Sequence, residues 1–180
     1  MRQKITPAEI LLGHGLMLFV AIVWIVSRDV LFAHARVGLG PLAELRQQLS
    51  PHFMFMVLGM GLGVVCVLLQ AFGTDRLLPL PEGEEQEFRG LSMFTIVLVT
   101  LLSGFCEEVF FRGAMQPVLG IWITSLLFGL GHITSWQRAL ITGFFGLLMG
   151  AAALYFGNLW VPIMAHMTNN FIQLCMMRDK

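Results

Sequence analysis

The sequence predicts an all-α protein: a polytopic transmembrane helical bundle of about six spans, forming a single transmembrane domain over residues 1–180. Three observations predict it. Of 180 residues, 57% are hydrophobic and only 12% charged, against about 25% charged in soluble domains. Mean hydropathy is +0.78. Apolar runs near the roughly 20 residues that a span needs recur at 9–27, 52–72, 91–113, 117–135, 138–157 and 158–177. Helices are the default, because a single segment must satisfy its own backbone hydrogen bonds in lipid. No alternating ten-residue pattern points to a barrel.

The elements follow in chain order. The run 9–27 is long, lacks a small-x-small cleavage site and precedes five more runs, so it reads as a retained helix rather than a signal peptide. Residues 28–51 contain "GLGPLAELRQQLSP", whose leucines predict a short amphipathic helix at the membrane interface. In the second run, Gly59 and Gly63 leave one face smooth for a neighbouring helix. Residues 73–90, "GTDRLLPLPEGEEQEFRG", read as a solvated connector. Two arginines against one aspartate and four glutamates give it a charge of −3. In the fifth run, Gly143, Gly146, Gly150, Ala153 and Gly157 form a second small-residue stripe, read as packing without chemistry.

Cys66, Cys106 and Cys175 all fall within predicted spans and share no metal-ligand spacing, so they read as apolar fillers. Zero formal net charge excludes a nucleic-acid footprint. Orientation follows from lysine and arginine near the span ends. Seven (Arg2, Lys4, Arg76, Arg89, Arg138, Arg178 and Lys180) fall on the side of the N-terminus and three (Arg28, Arg36 and Arg46) on the other. This predicts a multi-pass protein of the cell membrane with both termini in the cytoplasm, and a prokaryotic plasma membrane is the expected one.

Three polar clusters interrupt the apolar runs. The first is "GFCEEVFFRGAMQP" from Gly104. An ionisable group at the bilayer centre costs about 2.5–3.5 kcal/mol on insertion scales, so Glu107, Glu108 and Arg112 demand compensation. Glu108 and Arg112 are i and i+4 and can pair on one face. Glu107 points about 100° away and stays available. The second cluster is "SLLFGLGHI", which sets Phe128 and His132 on one face, and the third is "PIMAHMTNNF", which does the same for His166 and Asn170. If the chain reverses at Gly120, Glu107 and His132 each lie about 17–18 Å from the turn and meet at one level.

Glu107-Glu108-Val-Phe-Phe-Arg112, Phe128-Gly-Leu-Gly-His132 and His166-Met-Thr-Asn-Asn170 resemble the three motifs of the CAAX protease and bacteriocin-processing family, glutamate-type intramembrane endopeptidases. The resemblance covers about residues 91–175, the expected catalytic core. It implies that Glu107 is the general base and His132 helps to hold and activate a water. It also implies that His166 and Asn170 stabilise the oxyanion, that Glu108 and Arg112 orient the helix, and that Phe128 packs behind the site. The implied substrate is a membrane-anchored protein or peptide, such as a prenylated tail, a bacteriocin leader or the sorting tail of a surface protein. Glu82, Glu84, Glu85 and Glu87 would hold a basic substrate end by charge.

No cofactor is expected, since Glu107 and His132 can activate water without one. The alternative within the same family reading is zinc on Glu107, His132 and His166. Two other classes share the polar clusters: a proton- or ion-coupled transporter, against which the lack of an internal repeat counts, and a scaffold or immunity protein.

Overall fold

The structure is a computed structural model and describes residues 6–31, 40–74 and 89–178. The acidic segment 82–87 lies outside the described residues, as do Arg2, Lys4, Arg36, Arg76 and Lys180. Among the described residues every regular element is helical. The elements are α1 (Pro7–Leu31), α2 (Pro41–Gln48), α3 (Phe53–Leu69), α4 (Met93–Gly131), α5 (Trp136–Phe156) and α6 (Trp160–Arg178).

Local chemistry sets the ends. Ser92 caps α4 by accepting from the Thr95 N–H at 3.0 Å, and Ser135 caps α5 by accepting from the Arg138 N–H at 3.2 Å. Gly157 ends α5 in the left-handed region at φ 58°. Asn158 then accepts from the Trp160 N–H at 2.8 Å and starts α6. The amphipathic helix expected within 28–51 is α2. It docks on the α5–α6 turn, where Leu159 N–H donates to Gln48 O at 2.9 Å and Trp160 Nε1–H to Leu49 O at 2.8 Å.

Helix α4 carries the reversal expected at Gly120. The runs 91–113 and 117–135, expected as two spans, are two helical arms within Met93–Gly131 that meet at Gly120, so the expected reversal is present and only the boundaries shift. Within it, Ser103–Glu107 and Val109–Met115 are π-helical, and Gly120 leaves the helical region at φ 75°, ψ 167°. On one straight helix Glu107 and His132 would lie roughly 37 Å apart, whereas their side chains are 3.4 Å apart. The chain therefore reverses at Gly120, giving an outgoing arm, 93–119, and a return arm, 121–131. The ring contact of Phe111 with Phe128, at 4.9 Å between centroids, follows from the same reversal.

The return arm packs on α5, and α6 packs on α3, α4 and α5. Against the six expected spans, four helices among the described residues are long and apolar enough to cross a membrane: Pro7–Val30, Phe53–Phe72, Met93–Gly131 and Trp136–Phe156. Helix α6 misses because His166, Asn169, Asn170 and Gln173 lower its hydropathy. Its neighbours cover His166 and Asn169 and leave Asn170 and Gln173 part-buried at a cavity, and it also buries Val161, Ile163 and Ala165. The outer surface is apolar instead, with Leu12, Phe19, Phe94, Trp122 and Tyr155 exposed.

Candidate active site

The outgoing arm of α4 carries two adjacent carboxylates to opposite fates. Glu108 is completely buried. Arg112 reaches it with Nε at 3.1 Å from Oε2 and a second N–H at 3.2 Å from Oε1. The third corner of the guanidinium donates to Gly146 O at 2.9 Å, and its plane lies over the Phe128 ring at 4.5 Å. The expected i,i+4 pair is present, and it is one part of a larger knot. His166 Nδ1 also meets Glu108 Oε1, at 2.8 Å. Two helices and the return arm are thereby tied to one buried carboxylate.

Glycine makes this approach feasible. A Cβ on Gly146 would stand 3.0 Å from the Phe128 ring and 3.4 Å from the Arg112 guanidinium. One turn along, Gly150 O accepts from Gln116 Nε2 at 3.0 Å. The stripe read as pure packing thus supplies two carbonyl acceptors to buried side chains of α4.

Glu107 faces a cavity of about 400 Å³ lined by His14, Ser103, His132, His166, Asn169 and Asn170, among others. His132, just past the return arm, sets Nε2 at 3.4 Å from Glu107 Oε2. Its Nδ1 donates to Phe128 O at 2.8 Å. A carbonyl only accepts, so the proton sits on Nδ1 and Nε2 is left to face the carboxylate. Glu107 Oε2 is buried and has no hydrogen-bond partner among the described residues. Asn170 Nδ2 donates to Ser103 Oγ at 2.9 Å, at the same cavity.

The structure thus brings Glu107, His132, His166 and Asn170 to one cavity, with Glu108, Arg112 and Phe128 behind them. Sequence reasoning missed His14, whose Nε2 lies 3.5 Å from Glu107 Oε1. The signal was available as a lone ionisable residue in an apolar run, but no motif marked it. Also missed was an amide cluster on the cavity wall, in which Gln173 donates to Gln70 and, at 3.2 Å, to Asn169.

The zinc alternative can be tested on the same geometry. His166, one of its three ligands, has Nδ1 on Glu108, which leaves Nε2 as the ring nitrogen it could offer a metal. Among the described residues no group of three His, Cys, Asp or Glu side chains could hold a metal ion.

Residues 84–172, which hold all seven motif side chains, match the family model described as type II CAAX prenyl endopeptidase Rce1-like. Over 86 residues the chain is 34% identical to a Bacillus subtilis protein named as uncharacterized protein YpbD, and that stretch is 46% of each chain. The match therefore spans about half the length of that relative. No solved structure matches. The matched residues supply the two carboxylates, the arginine and both motif histidines gathered around the cavity, and over residues 84–172 the chain is similar to the Rce1-like type II CAAX prenyl endopeptidases.

Proposed function

We propose that the chain is an intramembrane endopeptidase that hydrolyses a peptide bond near the membrane-embedded or C-terminal segment of a protein substrate. The observation that carries this reading is the buried, unpartnered Oε2 of Glu107, set at a cavity beside the Nε2 of His132. Both atoms accept hydrogen bonds, so a water seated between them donates to both and turns its oxygen lone pair toward the cavity. Glu107 takes one proton as that oxygen attacks the peptide carbonyl carbon. The C=O π electrons move onto oxygen, and the resulting oxyanion is stabilised by donors from Asn170 and His166. Collapse breaks the C–N bond, and the proton on Glu107 passes to the leaving amine. Glu108 and Arg112 hold the helix that presents Glu107, and Phe128 backs both histidines.

The remaining expectations fit within this reading. The two arms of α4 and the polar-cored α6 complete about six membrane-embedded segments in a multi-pass protein of the cell membrane, with cytoplasmic termini. The substrate is membrane-anchored, with a surface-protein sorting tail as the favoured class, and the glutamates of 82–87 meet its basic end.

The test is the Glu107→Gln variant. It should insert and accumulate like the parent yet leave substrate uncut, when membrane proteins from cells with and without the variant are compared by mass spectrometry of their termini. Unaltered processing by a well-accumulated Glu107→Gln protein would refute the mechanism.

A further inference from the structure

Outside the matched residues, α1 sends one ionisable side chain to the site. Ile10, His14, Met17, Ala21 and Ile25 recur at helical spacing on one face of α1. Ile10, Ala21 and Ile25 are buried, and Met17, Ala21 and Ile25 pack into the two clusters that contain Phe111 and Val109 of the π-helical segment. His14 takes its place in that stripe, next to Glu107.

The two histidines at Glu107 are built alike. His14 Nδ1 donates to Ile10 O, one turn back, at 2.8 Å, as His132 does to Phe128 O at 2.8 Å. Each ring therefore presents Nε2. His14 Nε2 lies 3.5 Å from Oε1 and His132 Nε2 lies 3.4 Å from Oε2. One carboxylate is held between two rings, one on each oxygen.

The side chains differ in surroundings. His14 is 20% exposed and His132 38%. His14 also lines a second cavity of about 480 Å³, walled mainly by Ile10, Met17, Leu91, Val99, Phe111 and Leu174. The two cavities share Glu107, His14 and His132.

Building on the protease reading, we propose that His14 is a positioning residue of the site, holding Oε1 of Glu107 so that Oε2 is the oxygen presented to water beside His132. The contact is attractive when His14 is protonated on both ring nitrogens, so that Nδ1–H donates to Ile10 O and Nε2–H donates to Oε1 of the ionised Glu107. That proton occupies a lone pair of Oε1 and fixes the carboxylate plane. A carboxylate free to rotate would offer its base lone pair in several directions, and misplacement of a reacting group is costly to the rate. His14 also joins α1, which lies outside the family match, to the chemistry of α4.

Two substitutions separate positioning from packing. His14→Phe keeps a ring in the stripe and removes both nitrogens. His14→Gln keeps an N–H donor of similar reach. With full-length protein in liposomes and a quenched fluorescent peptide chosen by its cleavage by the parent, His14→Phe should lower kcat by about 100-fold. KM should stay within about twofold of the parent, because the residue acts on the base rather than on substrate binding. His14→Gln should recover much of the lost kcat. An independent reading comes from the infrared carboxylate band of Glu107, isolated in 13C-glutamate-labelled protein by subtracting the Glu107→Gln spectrum. His14→Phe should shift this band and His14→Gln should largely restore it. A folded His14→Phe protein with unchanged kcat and an unchanged band overturns the proposal, as does a loss confined to KM. A shifted band in a parent that cleaves no peptide keeps the His14–Glu107 contact and removes the protease reading instead.

Discussion

The two adjacent glutamates show how one residue step changes a side chain's task. Glu108 meets Arg112 and His166 and is completely sealed from solvent, whereas Glu107 meets two histidines at the edge of a cavity. Removing one partner of a buried ion pair leaves the other unpaired, at a cost of about 3–5 kcal/mol. Glu108→Ala should reach the top of that range, because it strands both Arg112 and His166. Thermal unfolding in detergent should show a clear loss of stability together with lost activity. A Glu108→Ala protein as stable as its parent would remove the knot as a structural element. Arg112→Lys should fail similarly. An ammonium cannot reach both oxygens of Glu108 and Gly146 O at once from its place beside the Phe128 ring. Charge retention with loss of stability is the expected signature, read from the same unfolding curves.

At the scale of elements, the reversal in α4 is what assembles the site. Gly120 has nothing within 4 Å of where a Cβ would stand, so space is not its reason for being glycine. Its φ of 75° with ψ of 167° is the reason, since an L side chain in that region costs about 1–3 kcal/mol. Gly120→Ala should destabilise by about that amount in a denaturant or thermal titration, and should weaken activity by loosening the register between Glu107 and His132. An Ala variant matching the parent in both would show that another feature sets the turn. Gly146 is the opposite case, helical in backbone and crowded in space. Gly146→Val should push Phe128 and the Arg112 guanidinium apart, costing about 1–3 kcal/mol as an overpacked site. The π-helical turns around Glu107 and Arg112 belong to this scale too. Such turns are rare and frequent at functional sites, and here they carry Glu107 and Arg112 and flank Glu108.

At the scale of the whole molecule, polarity runs from inside to outside. Glu107, Glu108, Arg112, Gln116, Thr124 and Asn169 are buried while leucine, phenylalanine and tryptophan cover the surface, the distribution expected of a chain whose solvent is lipid. Metal dependence is also a whole-molecule property, because it would couple α4 to α6. Purified active protein should contain well under one equivalent of zinc and keep its activity in strong chelator. Stoichiometric zinc, with activity lost on chelation and regained on adding the metal back, would overturn the metal-free mechanism. By itself the sequence determined the helical class, the apolar character of the runs and the pairing of Glu108 with Arg112. Each of these depends on composition or on spacing within one helix, which local geometry transmits directly. It also made the Gly120 reversal legible, since counting residues from a turn sets depth. Only the tertiary structure decided which partners come from other helices: His166 on Glu108, the Gly146 carbonyl on Arg112, and His14 on Glu107. Those contacts join residues 34 to 93 positions apart, as the differences 146 − 112, 166 − 108 and 107 − 14 show. Their formation depends on how helix faces rotate against one another, a property of packing that no periodicity within a single helix contains.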